Sequence, residues 1–188
     1  QSDRYQFVLP YYNFDKNISK NYFNGNISFN SNGSNVLDNT NKLETNFTNN
    51  LTYNSIDFIS NLGFKNNFGI NLKNLNSVGK KSAKYKSSMQ SELVSLYNVD
   101  ISLPLKKHGQ KSKNYLTPKL SLRINPHDMK NYSSSARNID AHNAFAINRL
   151  GLSDTLESGR SLTLGLDYLN ERKNNLNEIN DYFELKLA

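Results

Sequence analysis

The chain has 188 residues, the length of one ordinary domain, but only 36% are hydrophobic, short of the roughly 45–50% of a typical globular protein. Mean hydropathy is −0.70, and no run approaches the roughly 18 consecutive apolar residues of a spanning helix, so helical membrane proteins are excluded. With no cysteine or tryptophan there is no disulfide frame, thiolate nucleophile or cysteine metal site, while a net charge of +7 suits nucleic acid, anionic lipid or an acidic glycan without choosing among them.

Asparagine supplies about one residue in six, a bias against helix interiors and toward turns. Disorder is set aside because apolar and polar residues alternate with period two through most of the chain, as half-buried strands require. The expected strands are 4–14, 22–33, 42–54, 57–73, 90–105, 114–124, 143–149, 160–170 and 180 onward. In the third, Leu43, Thr45, Phe47, Asn49, Leu51 and Tyr53 share one face, which only Asn49 interrupts. The fourth places Phe58, Ser60, Leu62, Phe64, Asn66, Phe68, Ile70 and Leu72 on one face, an unusually long run. The pattern continues with Leu93, Tyr97, Val99 and Ile101, then Leu116, Leu120, Leu122 and Ile124, then Leu162, Leu164, Leu166 and Tyr168, and last Phe183, Leu185 and Leu187. Prolines 10, 104 and 118 fall inside these strands and mark strand ends or bulges.

Short polar connections between consecutive strands imply an antiparallel meander, since parallel neighbours need long crossovers. One end of the sheet should collect 34–41, 74–89, 125–142 and 171–179; the other, 15–21, 55–56, 106–113 and 150–159. The first set is longer, the asymmetry of outer-membrane barrels. Most of the strands reach the length of about 9–11 residues that crossing a bilayer at a tilt demands. The second faces, with Glu92, Asn98, Asp100, Ser102, Lys119, Ser121, Arg123, Glu184 and Lys186, are expected to be hydrated in either a soluble sheet or a wet lumen. An odd strand count, a start at Gln1 and an end in mid-alternation imply that residues 1–188 are part of a larger barrel, because open sheet edges are not tolerated in lipid.

Chemistry-bearing motifs are few. His127 beside Asp128, and Asp140 near His142, lack recognised metal-ligand spacing; His108 lies in the run Lys106, Lys107, Lys111, Lys113. A second run, Lys80, Lys81, Lys84 and Lys86, should lie at the opposite end of the sheet, so one nucleic-acid surface is hard to build. No phosphate loop, nucleophile elbow or paired-carboxylate motif occurs, and neither enzyme activity nor a cofactor is expected.

From Ala144 to Tyr168 the sequence AFAINRLGLSDTLESGRSLTLGLDY resembles the barrel domain of the LPS-assembly proteins of the LptD family (OstA, organic solvent tolerance protein), at Asn148, Arg149, Gly151, Asp154, Thr163, Gly165 and Leu166. Tyr115 to Leu120 with Arg123 and Pro126, and Arg4-Tyr5 with Pro10, are similar to earlier strands of that family. The loop departs from the family pattern, with Leu152 and Ser153 between Gly151 and Asp154, and Thr155 where arginine often follows. The resemblance implies a Gram-negative outer-membrane barrel that inserts lipopolysaccharide into the outer leaflet without covalent chemistry. It also implies an LptE-like lipoprotein plug, an LptA-like periplasmic bridge reached through a domain outside this chain, and exit through a seam between the first and last strands. Read from the residues, Asn148 and Arg149 pin a turn through loop carbonyls and through Asp154 or Glu157, while Gly151 and Gly159 supply backbone freedom; a lumenal arginine touching substrate phosphate is the alternative. Another barrel, such as a porin or receptor, and a soluble all-β binding or adhesin module are the competing readings. The soluble module would bury Phe64, Phe68, Leu120 and Leu164 between two sheets.

Overall fold

The computed structural model describes residues 6–22, 24–38, 41–128, 138–151, 156–174 and 178–188. They form one antiparallel sheet of ten strands: β1 (Gln6–Tyr22), β2 (Gly25–Asp38), β3 (Leu43–Ser55), β4 (Phe58–Ile59), β5 (Lys65–Lys80), β6 (Gln90–Ser102), β7 (Leu105–His108), β8 (Ser112–Asn125), β9 (Gly159–Lys173) and β10 (Ile179–Leu187). The order is β1-β2-β3-β5-β6-β8-β9-β10, with β4 on β5 and β7 on β8, and the sheet is open, with β1 and β10 as its edges.

The alternating segments form strands close to the expected places, and the differences have local causes. The long fourth segment is divided: Ser60 to Phe64 is a hairpin turn in which Ser60 N–H donates to Phe64 O at 2.8 Å and Gly63 adopts φ +84°. Alternation runs on through this turn, so periodicity alone hid it. Before it, Ser55 forms a bulge, its Oγ accepting from Phe68 N–H at 2.9 Å. β6 and β7 are one strand interrupted at Pro104: Ser102 pairs Lys119 and Leu105 pairs Leu116 in the same register, and Leu103 N–H still reaches Pro118 O at 3.0 Å. Pro10 falls at a register shift between Val8 and Tyr11.

The expected strand 143–149 does not exist. Asp140 Oδ1 accepts from His142 and Asn143 N–H groups at 2.8 and 3.1 Å, and Asp140 O from Ala144 N–H at 2.9 Å, which turns the chain at once. Turn chemistry there overrides the short apolar run Ala144 to Ile147. Losing one strand reverses the end to which every later connection belongs. The connections 39–42, 81–89 and 126–158 therefore share one end, hereafter the loop end. The connections β1–β2, β4–β5, β7–β8 and β9–β10 share the other, the turn end, so the expected 171–179 connection moves there and the expected 125–142 and 150–159 both fall between β8 and β9.

The faces are inverted relative to a soluble sheet. Buried side chains are chiefly polar, including Asn71, Lys73, Asn98, Ser121, Arg123 and Asn125, and they share the inner face. The opposite, outer face exposes large apolar groups: Leu51, Phe68, Tyr97, Leu122, Leu162 and Leu164. Phe68 is 38% and Leu164 63% exposed, contrary to a sandwich core. Apolar expanses of this extent are not left to water by a soluble monomer.

The outer apolar band also slides along the sheet. Phe29, Leu51 and Leu72 form one row on β2, β3 and β5. The row Ile70–Tyr97–Ile124 ends on Arg160 in β9. On β8, β9 and β10 the band lies nearer the turn end, at Leu116 to Ile124, Leu162 to Tyr168 and Phe183 to Leu187. A layer of constant height crossing tilted strands produces this drift, as barrel closure requires. Aromatic pairs flank the band: Tyr53–Phe68 at 5.6 Å and Tyr168–Phe183 at 6.2 Å toward the turn end, and Tyr12–Phe47 at 5.9 Å toward the loop end. Asn49, an amide in the middle of the β3 outer face, is held by its neighbours, accepting from Ser31 Oγ at 2.9 Å and donating to Asn74 Oδ1 at 3.4 Å.

Gly159, which opens β9 at φ +89°, has nothing within 4 Å of an added Cβ. Gly159→Ala is therefore expected to destabilise the protein by about 1–2 kcal/mol through backbone strain alone. The denaturation midpoint of the full-length protein measures it; an unchanged midpoint contradicts the assigned conformation.

Candidate functional site

The inner face is a ladder of amides, hydroxyls and paired charges. Asn98 Nδ2 donates to Asp100 Oδ2 at 2.8 Å, and Ser121 Oγ donates to Asp100 Oδ1 at 2.5 Å. Lys119 pairs with Asp167, and Lys65 with Asp57 at 2.9 Å. A recess of about 240 Å³ opens among Asp57, Lys65, Asn67, Asp100, Lys119, Leu120 and Phe145. Toward β1 the amides interlock, with Asn30 Nδ2 donating to Asp15 Oδ1 at 2.5 Å.

The connection from β8 to β9 folds back over this face. Arg123 is the tether: one terminal nitrogen donates to Ala146 O at 2.7 Å and the other to Ile147 O. Asn125 holds the return limb, its Nδ2 donating to Leu156 O at 3.2 Å and Glu157 O at 2.9 Å. Val94, Leu96 and Leu156 then form a small apolar cluster, with Leu75 and Ile147 packed against it. Asn98, Ser121 and Arg123, expected to be hydrated, are consequently buried at 7%, 1% and 4% exposure. That cover comes from a segment far away in sequence, which alternation cannot reveal.

The family-motif residues converge on the same connection. Arg149 donates to Glu157 through Nε at 2.5 Å and through a terminal nitrogen, and reaches Thr163 Oγ1 at 3.4 Å. The hydrogen bond to Glu157 raises the guanidinium pKa against the opposing effect of burial, so Arg149 is charged throughout the working range. Its charge is committed within the chain. Gly151, at φ +60°, donates to Asn148 O at 3.0 Å and closes the turn between them. Gly165 is the seat of Phe145: a Cβ there would lie 2.6 Å from the ring. Asp154 lies outside the described residues. Arg123 and Asn125 were not among the predicted site residues, although Arg123 and the adjoining Pro126 were part of the family resemblance.

His127 Nε2 lies 3.2 Å from Ser95 Oγ, and among the described residues no three metal-ligating side chains converge. Among the described residues no helix is long and apolar enough to cross a membrane. The two lysine runs lie at opposite ends of the sheet, Lys80 to Lys86 at the loop end and Lys106 to Lys113 at the turn end.

A long-stranded antiparallel sheet with an apolar outer face, a tilted apolar layer and a polar inner face is the wall of a transmembrane β-barrel. The family described as LptD, LPS transport system D, matches residues 5–180. The chain belongs to the LptD family, a transport and assembly family of the outer membrane. No curated protein matches it.

The bidentate pair sets an expected hierarchy. Arg149→Ala strands a half-buried Glu157 and should cost about 2–3 kcal/mol, whereas Arg149→Gln with Glu157→Gln should cost less than either single change. Urea midpoints and protease cleavage within 138–157 of the full-length protein measure this; equal effects in single and double variants contradict the pairing.

Proposed function

We propose that this sheet is a stretch of the barrel wall through which lipopolysaccharide is translocated and inserted into the outer leaflet. The observation that carries the reading is the family match over residues 5–180 on a sheet with an apolar outside and an amide-rich inside. Acyl chains need the former environment; a hydrated, phosphorylated saccharide needs the latter. Asn30, Thr48 and Asn50 on the inner face offer donors and acceptors without a fixed charge, suited to a passing glycan. The sheet edges at β1 and β10 would leave unpaired backbone in lipid, so residues 1–188 act as part of a barrel closed by further strands.

The loop end faces the exterior in this reading, because outer-membrane barrels keep short turns on the periplasmic side. The β8–β9 connection then enters the lumen from outside and narrows it, tethered by Arg123 and Asn125. Asn148, Arg149, Gly151 and Gly165 shape that connection, and Arg149 acts on Glu157 instead of on substrate. An LptE-like lipoprotein occupies the remaining lumen, and an LptA-like bridge delivers lipid through a domain outside this chain. No bond of the lipid is made or broken.

Photoreactive residues at Asn30 and Thr48 of the full-length protein in growing cells are expected to give adducts with lipopolysaccharide that disappear when lipid supply from the inner membrane is stopped. Correctly inserted protein that gives no adduct at either position contradicts a lumenal path along this wall.

A further inference from the structure

The pairing registers place three rows across the outer face at the turn end. Leu105, Leu116, Tyr168 and Leu185 form the last apolar row, on β7, β8, β9 and β10. The next row toward the turns is Lys107, Asn114, Asn170 and Phe183, and beyond it Ser112 pairs with Arg172, which pairs with Asp181. Side chains two residues apart on a strand share a face, so the three rows stand one above another on the lipid side. Tyr168 Oη donates to Asn114 Oδ1 at 2.9 Å and Asn170 Nδ2 donates to the same oxygen at 2.6 Å, bonds that tie adjacent rows together. Tyr168 and Phe183 lie with ring centroids 6.2 Å apart. A groove of about 350 Å³ opens among Ser112, Asn114, Tyr168, Asn170, Arg172 and Phe183, all of them on this one face.

Along the strand direction the surface thus passes from hydrocarbon through aromatic rings and amides to a cation. Arg172 is exposed, with half-buried Ser112 opposite it on the ladder, and the exposed Lys107 flanks Asn114 on the other side. Both bonds to Asn114 fall on its oxygen, so among the described residues its NH2 remains a donor. The acidic groups of this end are mostly engaged elsewhere: Glu171 lies on the inner face, where Tyr115 Oη donates to it at 3.4 Å, and Glu178 accepts from Asn174 Nδ2 at 3.2 Å. Asp181 stands in the outermost row, against the two cations Lys107 and Arg172. We propose that this groove holds an anionic glycerophospholipid of the periplasmic leaflet: phosphate at Arg172 and Ser112, the ester linkages against Asn114 and Asn170, and acyl chains along Phe183, Tyr168 and Leu116. Charge complementarity selects an anionic headgroup over a zwitterionic one, and an aromatic girdle beside a polar row marks headgroup depth. The site rests on the barrel-wall reading and on the orientation proposed above, in which the turn end faces the periplasm and the leaflet within reach is opposite to the one that receives lipopolysaccharide.

The test uses the full-length protein in growing cells, with a photoreactive phenylalanine derivative at Phe183 and, for comparison, at Leu164 within the apolar layer; attached lipids are identified by mass spectrometry. The ratio of anionic to zwitterionic phospholipid adducts at Phe183 is expected several-fold above that at Leu164. One cation beside an anionic headgroup is worth about fivefold in occupancy, so Arg172→Gln should lower the Phe183 ratio by about that factor, while Arg172→Lys should preserve it. Equal ratios at the two positions, or a Phe183 ratio indifferent to Arg172→Gln, overturn the proposal. Lipopolysaccharide adducts at Phe183 overturn both the site and the orientation. If Leu164 takes up lipid and Phe183 shows no anionic enrichment, the site fails and the barrel wall stands; if neither position takes up lipid, the barrel-wall reading fails with it.

Discussion

Backbone pairing between long antiparallel strands is the constraint on which this structure depends. In a hydrocarbon layer an N–H or C=O without a partner costs several kcal/mol, so strands that cross it must be paired along their length and closed into a ring. The uninterrupted registers from Leu37↔Leu43 to Gly25↔Ser55 and from Ser112↔Arg172 to Asn125↔Gly159 meet that demand. With pairing supplied by the backbone, side chains are free to sort by medium. Leu, Phe and Val meet lipid on one face, Asn, Ser and paired charges meet water on the other, and the average hydropathy comes out low. The tilt of the apolar layer follows from the same closure, since strands cannot form a ring without shear.

Departures from regular pairing are placed where the chain turns or admits another segment. Ser55 and Gly63 shape the β3–β5 hairpin, Pro104 interrupts β6 and β7 without changing their register, and Pro10 shifts β1 near the loop end. The principal apolar cluster lies inside, beneath the β8–β9 connection, where Leu96 and Val94 break the polarity of the inner face to receive Leu156 and Ile147. Arg123 and Arg149 serve that connection in different ways. Arg123 neutralises carbonyls that a turn leaves without strand partners, and Arg149 ties the two limbs of the excursion through Glu157. The arginines, the glycine under Phe145 and the small cluster form one device that holds the described limbs of the connection against the inner face.

Much of this was legible from period two. Leu51, Leu120 and Leu164 announced the outer face, and Lys119, Ser121 and Arg123 the inner, because a strand's side chains must alternate whatever lies on either side. What the local pattern could not show was where a strand yields to turn chemistry: Phe64 kept the rhythm of Phe68 across a hairpin, and the apolar run Ala144 to Ile147 lies in a series of turns initiated by Asp140. One spurious strand was enough to exchange the ends of the later connections. The bonds of Arg123 to Ala146 and Ile147 were equally hidden, since they join residues more than twenty apart through a fold the local pattern does not encode. The family motif lies in this segment and leaves its role to geometry.

The most direct test of the central claim is depth-resolved labelling of the full-length protein in its membrane. Single cysteines at Phe68, Leu120 and Leu164 are compared with their neighbours Asn67, Lys119 and Thr163, in a segment that has no native cysteine. The first set should react with lipid-phase probes and resist water-soluble thiol reagents, and Asn67 and Lys119, at the recess of the inner face, should do the reverse. Thr163, beside Arg149, should resist the lipid-phase probes and become water-reactive when Arg149→Ala loosens the connection. If Phe68, Leu120 and Leu164 are sealed from both probes, or take up the aqueous reagent, the outer face is covered or wet, and the barrel-wall account fails.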